Sequence, residues 1–209
     1  MYVYADNAAT TKVSPTAVAA MMPFLTEEYG NPSSFYSLGQ RAAEALVKAR
    51  ETVAECLGAE PGEIYFTGGG SESDNQAIRS AAFVGAKKGK RHIISTKFEH
   101  HAVLHTLDKL RKEGFDVTLL DVHENGVVRV EDVAAAIRED TALVSVMFAN
   151  NEIGTIQPIR AIGALCRERG IPFHTDAVQA IGHVPVNVQE MNIDLLSCSA
   201  HKFHGPRGV

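Results

Sequence analysis

The sequence predicts a three-layer α/β/α domain built on a mainly parallel sheet. Three observations predict it. Short apolar segments of strand length alternate with longer segments whose apolar residues recur at helical spacing. One short segment, Leu143–Phe148, is apolar at every position but Ser145, as a central strand buried on both faces requires. Small and polar residues follow strand after strand, at the carboxyl edge where an open α/β sheet binds its ligands.

The elements read in order as follows. Residues 1–13 are an extended lead-in ending in the small polar run Asn7-Ala8-Ala9-Thr10-Thr11. Ser14-Pro15 is an N-cap followed by proline at the first helical position, and that helix is expected to reach Tyr29. Gly30-Asn31-Pro32-Ser33-Ser34 is a loop by composition. Leu38, Ala42, Ala45, Leu46, Ala49, Val53 and Leu57 set out a helix over Ser37–Leu57, with Gly58 placed to end it. Alternation then begins. Strands are expected over Glu63–Thr67, Arg91–Ser95, Asp116–Asp121, Leu143–Phe148, Pro172–Thr175 and Asp194–Ser199. Helices are expected from Ser71 to Lys88 and over Glu99–Glu113, Glu131–Arg138 and Pro158–Arg169. The chain stops at Gly208-Val209, where a next strand would start, so residues 14–209 read as an incomplete domain.

Composition excludes several classes. The 209 residues are 45% hydrophobic and 22% charged, with 20 Lys+Arg against 25 Asp+Glu and a net charge of −5. That describes a soluble chain with a core and no basic run for nucleic acid. No segment has the roughly 18 apolar residues a membrane span needs, and no secretory signal is visible. Cys56, Cys166 and Cys198 are odd in number, widely spaced and outside any CxxC pair, which fits a reducing, cytoplasmic compartment.

Chemistry-bearing residues gather after the expected strands. Gly68-Gly69-Gly70-Ser71 opens a helix, as a phosphate cup does and as a ligand-free tight turn also does. His100 follows one strand, and Asn150-Asn151-Glu152 another. His101 adjoins His100, but neighbouring helical histidines diverge and no third ligand stands at zincin spacing, so one functional imidazole is the better reading than a metal pair. Asp176 reads either as the cap of the turn beyond its strand or as the partner of a protonated ring nitrogen. Lys202, in Ser199-Ala200-His201-Lys202, is an ordinary loop lysine unless apolar walls and neighbouring positive charge strip its proton and leave a nucleophilic amine. A Schiff-base lysine, an acidic partner and a helix-terminal phosphate cup are together the needs of pyridoxal 5'-phosphate (PLP).

Five segments carry a resemblance. Asp6-Asn7-Ala8-Ala9-Thr10-Thr11, Gly30-Asn31-Pro32-Ser33-Ser34, Asn150-Asn151-Glu152-Ile153-Gly154, His174-Thr175-Asp176-Ala177-Val178-Gln179 and Ser199-Ala200-His201-Lys202 resemble the NifS/IscS-type cysteine desulfurases, fold-type I PLP enzymes of the class V aminotransferase family. The resemblance covers the chain in order. It implies an aspartate aminotransferase-like PLP-dependent transferase large domain, with residues 1–13 on the small-domain side. It implies that Lys202 carries PLP, Asp176 pairs with the pyridinium nitrogen and Gln179 bonds the phenolic oxygen. His100 stacks on the ring and serves as acid or base, and Asn151 faces the ring edge. Gly70, Ser71, Ser199 and His201 hold the phosphate. It further implies a homodimer that converts L-cysteine to L-alanine and passes sulfur, as a persulfide, to an acceptor or scaffold protein for iron–sulfur or thio-cofactor assembly. A selenocysteine lyase, an aminotransferase and a non-catalytic dimerisation module are the competing readings. Two departures stand out. The family's Thr-Ser-Gly-Ala-Thr-Glu is Thr67-Gly68-Gly69-Gly70-Ser71-Glu72, and its usual histidine is Tyr36. None of the three cysteines stands at the position of the family's persulfide cysteine, and all three read as buried structural thiols.

Overall fold

In the computed structural model, which describes residues 1–209, five parallel strands form one sheet in the order β2-β1-β3-β4-β5. They are β1 (His92–Thr96), β2 (Asp116–Leu120), β3 (Thr141–Ser145), β4 (Phe173–Asp176) and β5 (Leu195–Ser197). The first half of the apolar segment, Leu143–Ser145, ends the central strand β3, and its continuation stays on the ladder through Val146 and Phe148 N–H groups bonded to the His174 and Asp176 carbonyls.

Helices cover both faces, and the period-2 alternation of the strands shows why. Ile93 and Leu143 point to α3 (Gly70–Ala86) and α4 (His101–Lys112), packing with Ile78, Val103, Leu107 and Leu110. The next residues, Ile94 and Val144, point to the opposite face, where Val133 of α5 (Val130–Ala136) and Ile162 and Cys166 of α6 (Ile159–Arg169) close a second core around Phe173. A one-residue slip of register would exchange the two cores.

Local signals act where expected. Ser14 Oγ accepts from Ala17 N at 3.1 Å, and Pro15 opens α1 (Pro15–Thr26). Gly58 ends α2 (Ser37–Leu57) with φ 70°. Helix α1 stops three residues short of Tyr29, following Pro23 inside its last turn. A larger difference is at Glu63–Thr67, which is not a strand. A short 3₁₀ turn, Pro61–Glu63, leads into extended backbone with no ladder neighbour, and Tyr65 is 72% exposed. Extended backbone becomes a strand only through a partner's hydrogen bonds, and none of the five strands runs beside it.

The strand order fixes where a ligand belongs. The chain steps outward from β1 to β2, then crosses back to place β3 on the other side of β1. The loops after β1 and β3 therefore diverge at their carboxyl ends, opening a crevice at that switch point.

Candidate active site

A cavity of about 380 Å³ occupies this crevice. His100 arrives from the loop after β1, and Met147, Ala149 and Asn151 come from the loop after β3. Asp176 ends β4, with Val178 and Gln179 just beyond, and Ser199, His201 and Lys202 follow β5. Gly70 and Ser71 close the side at the N-terminus of α3. Every site residue expected from the sequence lines this one cavity.

The glycine turn aims helix α3. Gly69 has φ 133°, a region closed to side chains, and from there the chain enters the helix at Gly70. The first amides of a helix have no intrahelical acceptor, so this end offers N–H groups and a positive dipole to an anion. Gly70 also stands in for a side chain. A Cβ there would lie 2.8 Å from Cγ2 of Val178 and 3.6 Å from Cβ of Ser199. Val178 thus occupies the volume an alanine methyl would take. Gly70→Ala should cost about 1–3 kcal/mol by overpacking, and Val178→Ala in the same chain should recover most of it. Denaturant unfolding of the two single variants and the double variant measures this coupling, and additive losses would refute it.

His100 sits one residue before α4 rather than inside it. Its Nδ1 accepts the Ala102 N–H at 3.1 Å, which caps the helix. In a neutral ring the proton then lies on Nε2, the nitrogen left free for the cavity.

Asp176 satisfies both sequence readings. Oδ1 accepts Val178 N–H at 3.0 Å, forming the local turn, while the carboxylate faces the cavity. Asp176 is 5% exposed. Burial pushes its pKa above the usual carboxylate range, opposed by the Val178 N–H and the nearby His100 and Lys202. Gln179 Nε2 donates to the Ala8 carbonyl at 2.9 Å.

The surroundings of Lys202 differ from the sequence expectation. Burial does lower the pKa of its amine, but the charges that face it are Asp176 and Asp6, which act in the opposite direction. The expected positive field is absent, because burial, then Lys202 and Arg207, push His201 below its ordinary value and favour a neutral ring. Lys202 Nζ donates to the carbonyl of Ala8 and, at 3.1 Å, to that of Ala9. The lead-in is held to this segment from both sides. Thr11 N bonds the His201 carbonyl at 2.8 Å, and His204 N bonds Thr11 Oγ1 at 2.8 Å. His201 Nδ1 meets Thr10 Oγ1 at 3.0 Å, and Ser199 Oγ donates to the Val209 carbonyl at 3.3 Å. Asn151 Nδ2 donates to Glu152 Oε1 at 2.6 Å.

Asp6 and Glu152, which stand in the segments that carry the resemblance but were given no role, and Asp74, which sequence reasoning missed, also line the cavity. Asp74 did carry a signal. It lies on the buried stripe of α3 with Ile78 and Ala82, at successive four-residue steps, where a carboxyl is out of place. The thiols are elsewhere. Cys166 is buried in the core with its pKa pushed up to about 12 by burial, Cys198 is half-buried, and Cys56 is exposed, not buried as expected.

An α/β/α fold with a parallel sheet, and a lysine beyond the last strand with an aspartate at the end of the one before, is that of the PLP-dependent transferases. The aminotransferase class-V model matches residues 3–209, and the chain belongs to that family, whose members use PLP. It is 60% identical over 207 residues to the cysteine desulfurase IscS of Clostridium botulinum strain Hall, covering 99% of this chain and 52% of that protein. It is 57% identical over 206 residues to the cysteine desulfurase IscS of Methanosarcina thermophila, covering 99% of this chain and 51% of that one. Among solved structures, a NifS-like protein superposes with a TM-score of 0.96 at 44% identity, over 100% of this chain and 57% of its own. SspA in complex with cysteine gives a TM-score of 0.95 at 42% identity, over 99% of this chain and 59% of its own. The chain spans about half the length of the curated relatives it matches.

Proposed function

We propose that this chain forms the PLP-holding part of a cysteine desulfurase. In that reaction the Cβ–S bond of L-cysteine breaks, L-alanine leaves, and an S–S bond forms on an enzyme thiol as a persulfide bound for iron–sulfur or thio-cofactor assembly. The observation that carries the reading is the convergence of Lys202, Asp176 and the N-terminus of α3 on one cavity. The donor set suits the cofactor: an amine, a buried carboxylate, and an anion-binding helix end beside hydroxyls and an imidazole. The relatives named cysteine desulfurase and the neighbour solved with cysteine favour this substrate over an aminotransferase's or a selenocysteine lyase's.

When bound, PLP supplies an electrophilic carbon and an electron-withdrawing ring. Lys202 offers the amine that holds it, and the same Nζ moves protons once freed. Asp176 holds a proton on the ring nitrogen. Gln179 would hydrogen-bond the phenolic oxygen, His100 would stack on the ring and serve as acid or base, and Asn151 would face the ring edge. The amides of Gly70 and Ser71, with Ser71 and Ser199 hydroxyls and His201, hold the phosphate. Cys56, Cys166 and Cys198 all lie outside the lining of the cavity, and none of them is assigned the sulfur-accepting role.

A homodimer accords with α1, which has no buried residue although Met22, Phe24 and Leu25 are apolar and exposed. No helix is long and apolar enough to cross a membrane. Three free cysteines accord with a cytoplasmic setting. Borohydride reduction of the PLP-loaded, full-length protein should fix the cofactor on the peptide containing Lys202, and L-cysteine should yield L-alanine. Labelling elsewhere, or no alanine, would refute the proposal.

A further inference from the structure

Three carboxyls lie at or under the floor of the cavity: Asp74, Glu99 and Asp176 are 1%, 5% and 5% exposed. Only Asp176 has a cation for company, with Lys202 and His100 both acting on it. Glu99 Oε1 accepts Thr96 Oγ1 at 2.8 Å and Met147 N at 2.9 Å, while its Oε2 has no partner. Asp74 Oδ1 has no partner either. The basic group nearest Asp74 is His174 of β4, whose Nε2 is 3.7 Å from Oδ1. That imidazole is fully buried and its pKa is pushed down to about 3, so it is neutral. Both its nitrogens are engaged, Nδ1 with Ser145 Oγ at 2.8 Å and Nε2 with Ser197 Oγ at 3.1 Å. Ser197 Oγ in turn accepts Ser73 Oγ at 3.0 Å. Hydroxyls and a neutral ring surround Asp74, and the charges facing it are those of other carboxyls.

Two or three anions packed this closely, with one cation above them, would repel strongly in a low-dielectric floor. We propose that Asp74 is a positioning residue kept in its acid form, so that Asp176 is the only negative charge presented to a bound ring. Ionising Asp74 would turn a singly charged floor into a doubly charged one. The inference rests on the PLP reading for its consequence, though not for the state of Asp74 itself. Burial first, then Asp176, push the Asp74 pKa up to about 8, against the Ser197 hydroxyl. Glu99 is pushed up to about 8 by burial, with Asp176 and Asp74 adding to it. The acid form of Asp74 should therefore fall from about nine-tenths at pH 7 to about one-tenth at pH 9.

Infrared pH-difference spectra of the full-length protein test this directly. Absorption by protonated carboxylic acids should be present at pH 7, lost by pH 9, and reduced in Asp74→Asn, with Glu99→Gln removing the companion signal. In the PLP-loaded protein the visible band should show an alkaline step that Asp74→Asn abolishes. Wild-type protein without acid absorption at pH 7 would overturn the proposal whether or not a variant folds. So would acid absorption or an alkaline step that persists unchanged in folded Asp74→Asn. A protein that binds no PLP but shows the acid signal would refute the cofactor reading and leave the state of Asp74 standing.

Discussion

Lys202→Ala should yield a full-length protein that develops no visible cofactor band with PLP and releases no alanine from cysteine above background. Two losses combine. The substitution removes the nucleophilic amine, which under the proposed function lowers turnover by about 10³-fold or more. It also removes the cation beside Asp176, whose carboxyl then rises further above its usual range because burial loses one of its opponents. Lys202→Arg separates the two, since guanidinium keeps the charge but is not a usable nucleophile. Both variants should fail to react with cysteine, while Arg should retain more PLP affinity than Ala. The Ala variant should also loosen the lead-in. The bonds from Nζ to the Ala8 and Ala9 carbonyls are worth about 1 kcal/mol each, so limited proteolysis near Asp6–Thr11 should quicken. A visible band of wild-type intensity in Lys202→Ala would sink the assignment.

Lys202 also shows how far the sequence alone reaches. Its position beyond a strand was legible, because a strand of Leu195–Ser197 after β4 has to deliver the next loop to the same sheet edge. The sign of the field around it was not. Asp6 reaches it only because the lead-in folds back across nearly the whole chain, through Thr11 and His201. Contacts between such distant residues leave no periodic trace. The failed strand at Glu63–Thr67 has the same root: composition reports a preference for extended backbone, and only a neighbour makes it a strand. Cys56 is exposed where burial is expected because a helical period alone does not say which face is covered, and much of α2 is uncovered in this chain. Leu143–Phe148, by contrast, does lie at the centre of the sheet. A segment apolar at every position but Ser145 requires cover on both faces, which only an interior strand of a layered sheet obtains.

Asp176→Asn is the second large effect. A buried carboxylate bonded to a pyridinium N–H is a charge-assisted pair of about 1.5–3 kcal/mol, so neutralising it should weaken PLP binding by about 10- to 100-fold. Asn keeps an oxygen for the Val178 N–H, so the turn that positions Gln179 should survive. Asp176→Ala loses that acceptor as well and should be less stable than Asn. The pH dependence distinguishes charge from shape. Burial gives the folded-state carboxyl of Asp176 a higher proton affinity than its unfolded counterpart. On acidification it therefore loses its charge before a free aspartate would, and wild-type PLP affinity should fall in that range. Asp176→Asn should bind weakly at every pH and lack this limb, because it has no charge to lose. The same raised pKa makes the wild type relatively less stable as pH climbs from the ordinary aspartate value toward the folded-state value, since the unfolded chain releases its proton first. Subtracting the Asn curve from the wild-type curve, for both PLP affinity and unfolding free energy, isolates these two opposite slopes. Parallel curves in both measurements would show that Asp176 carries no charge the cofactor uses.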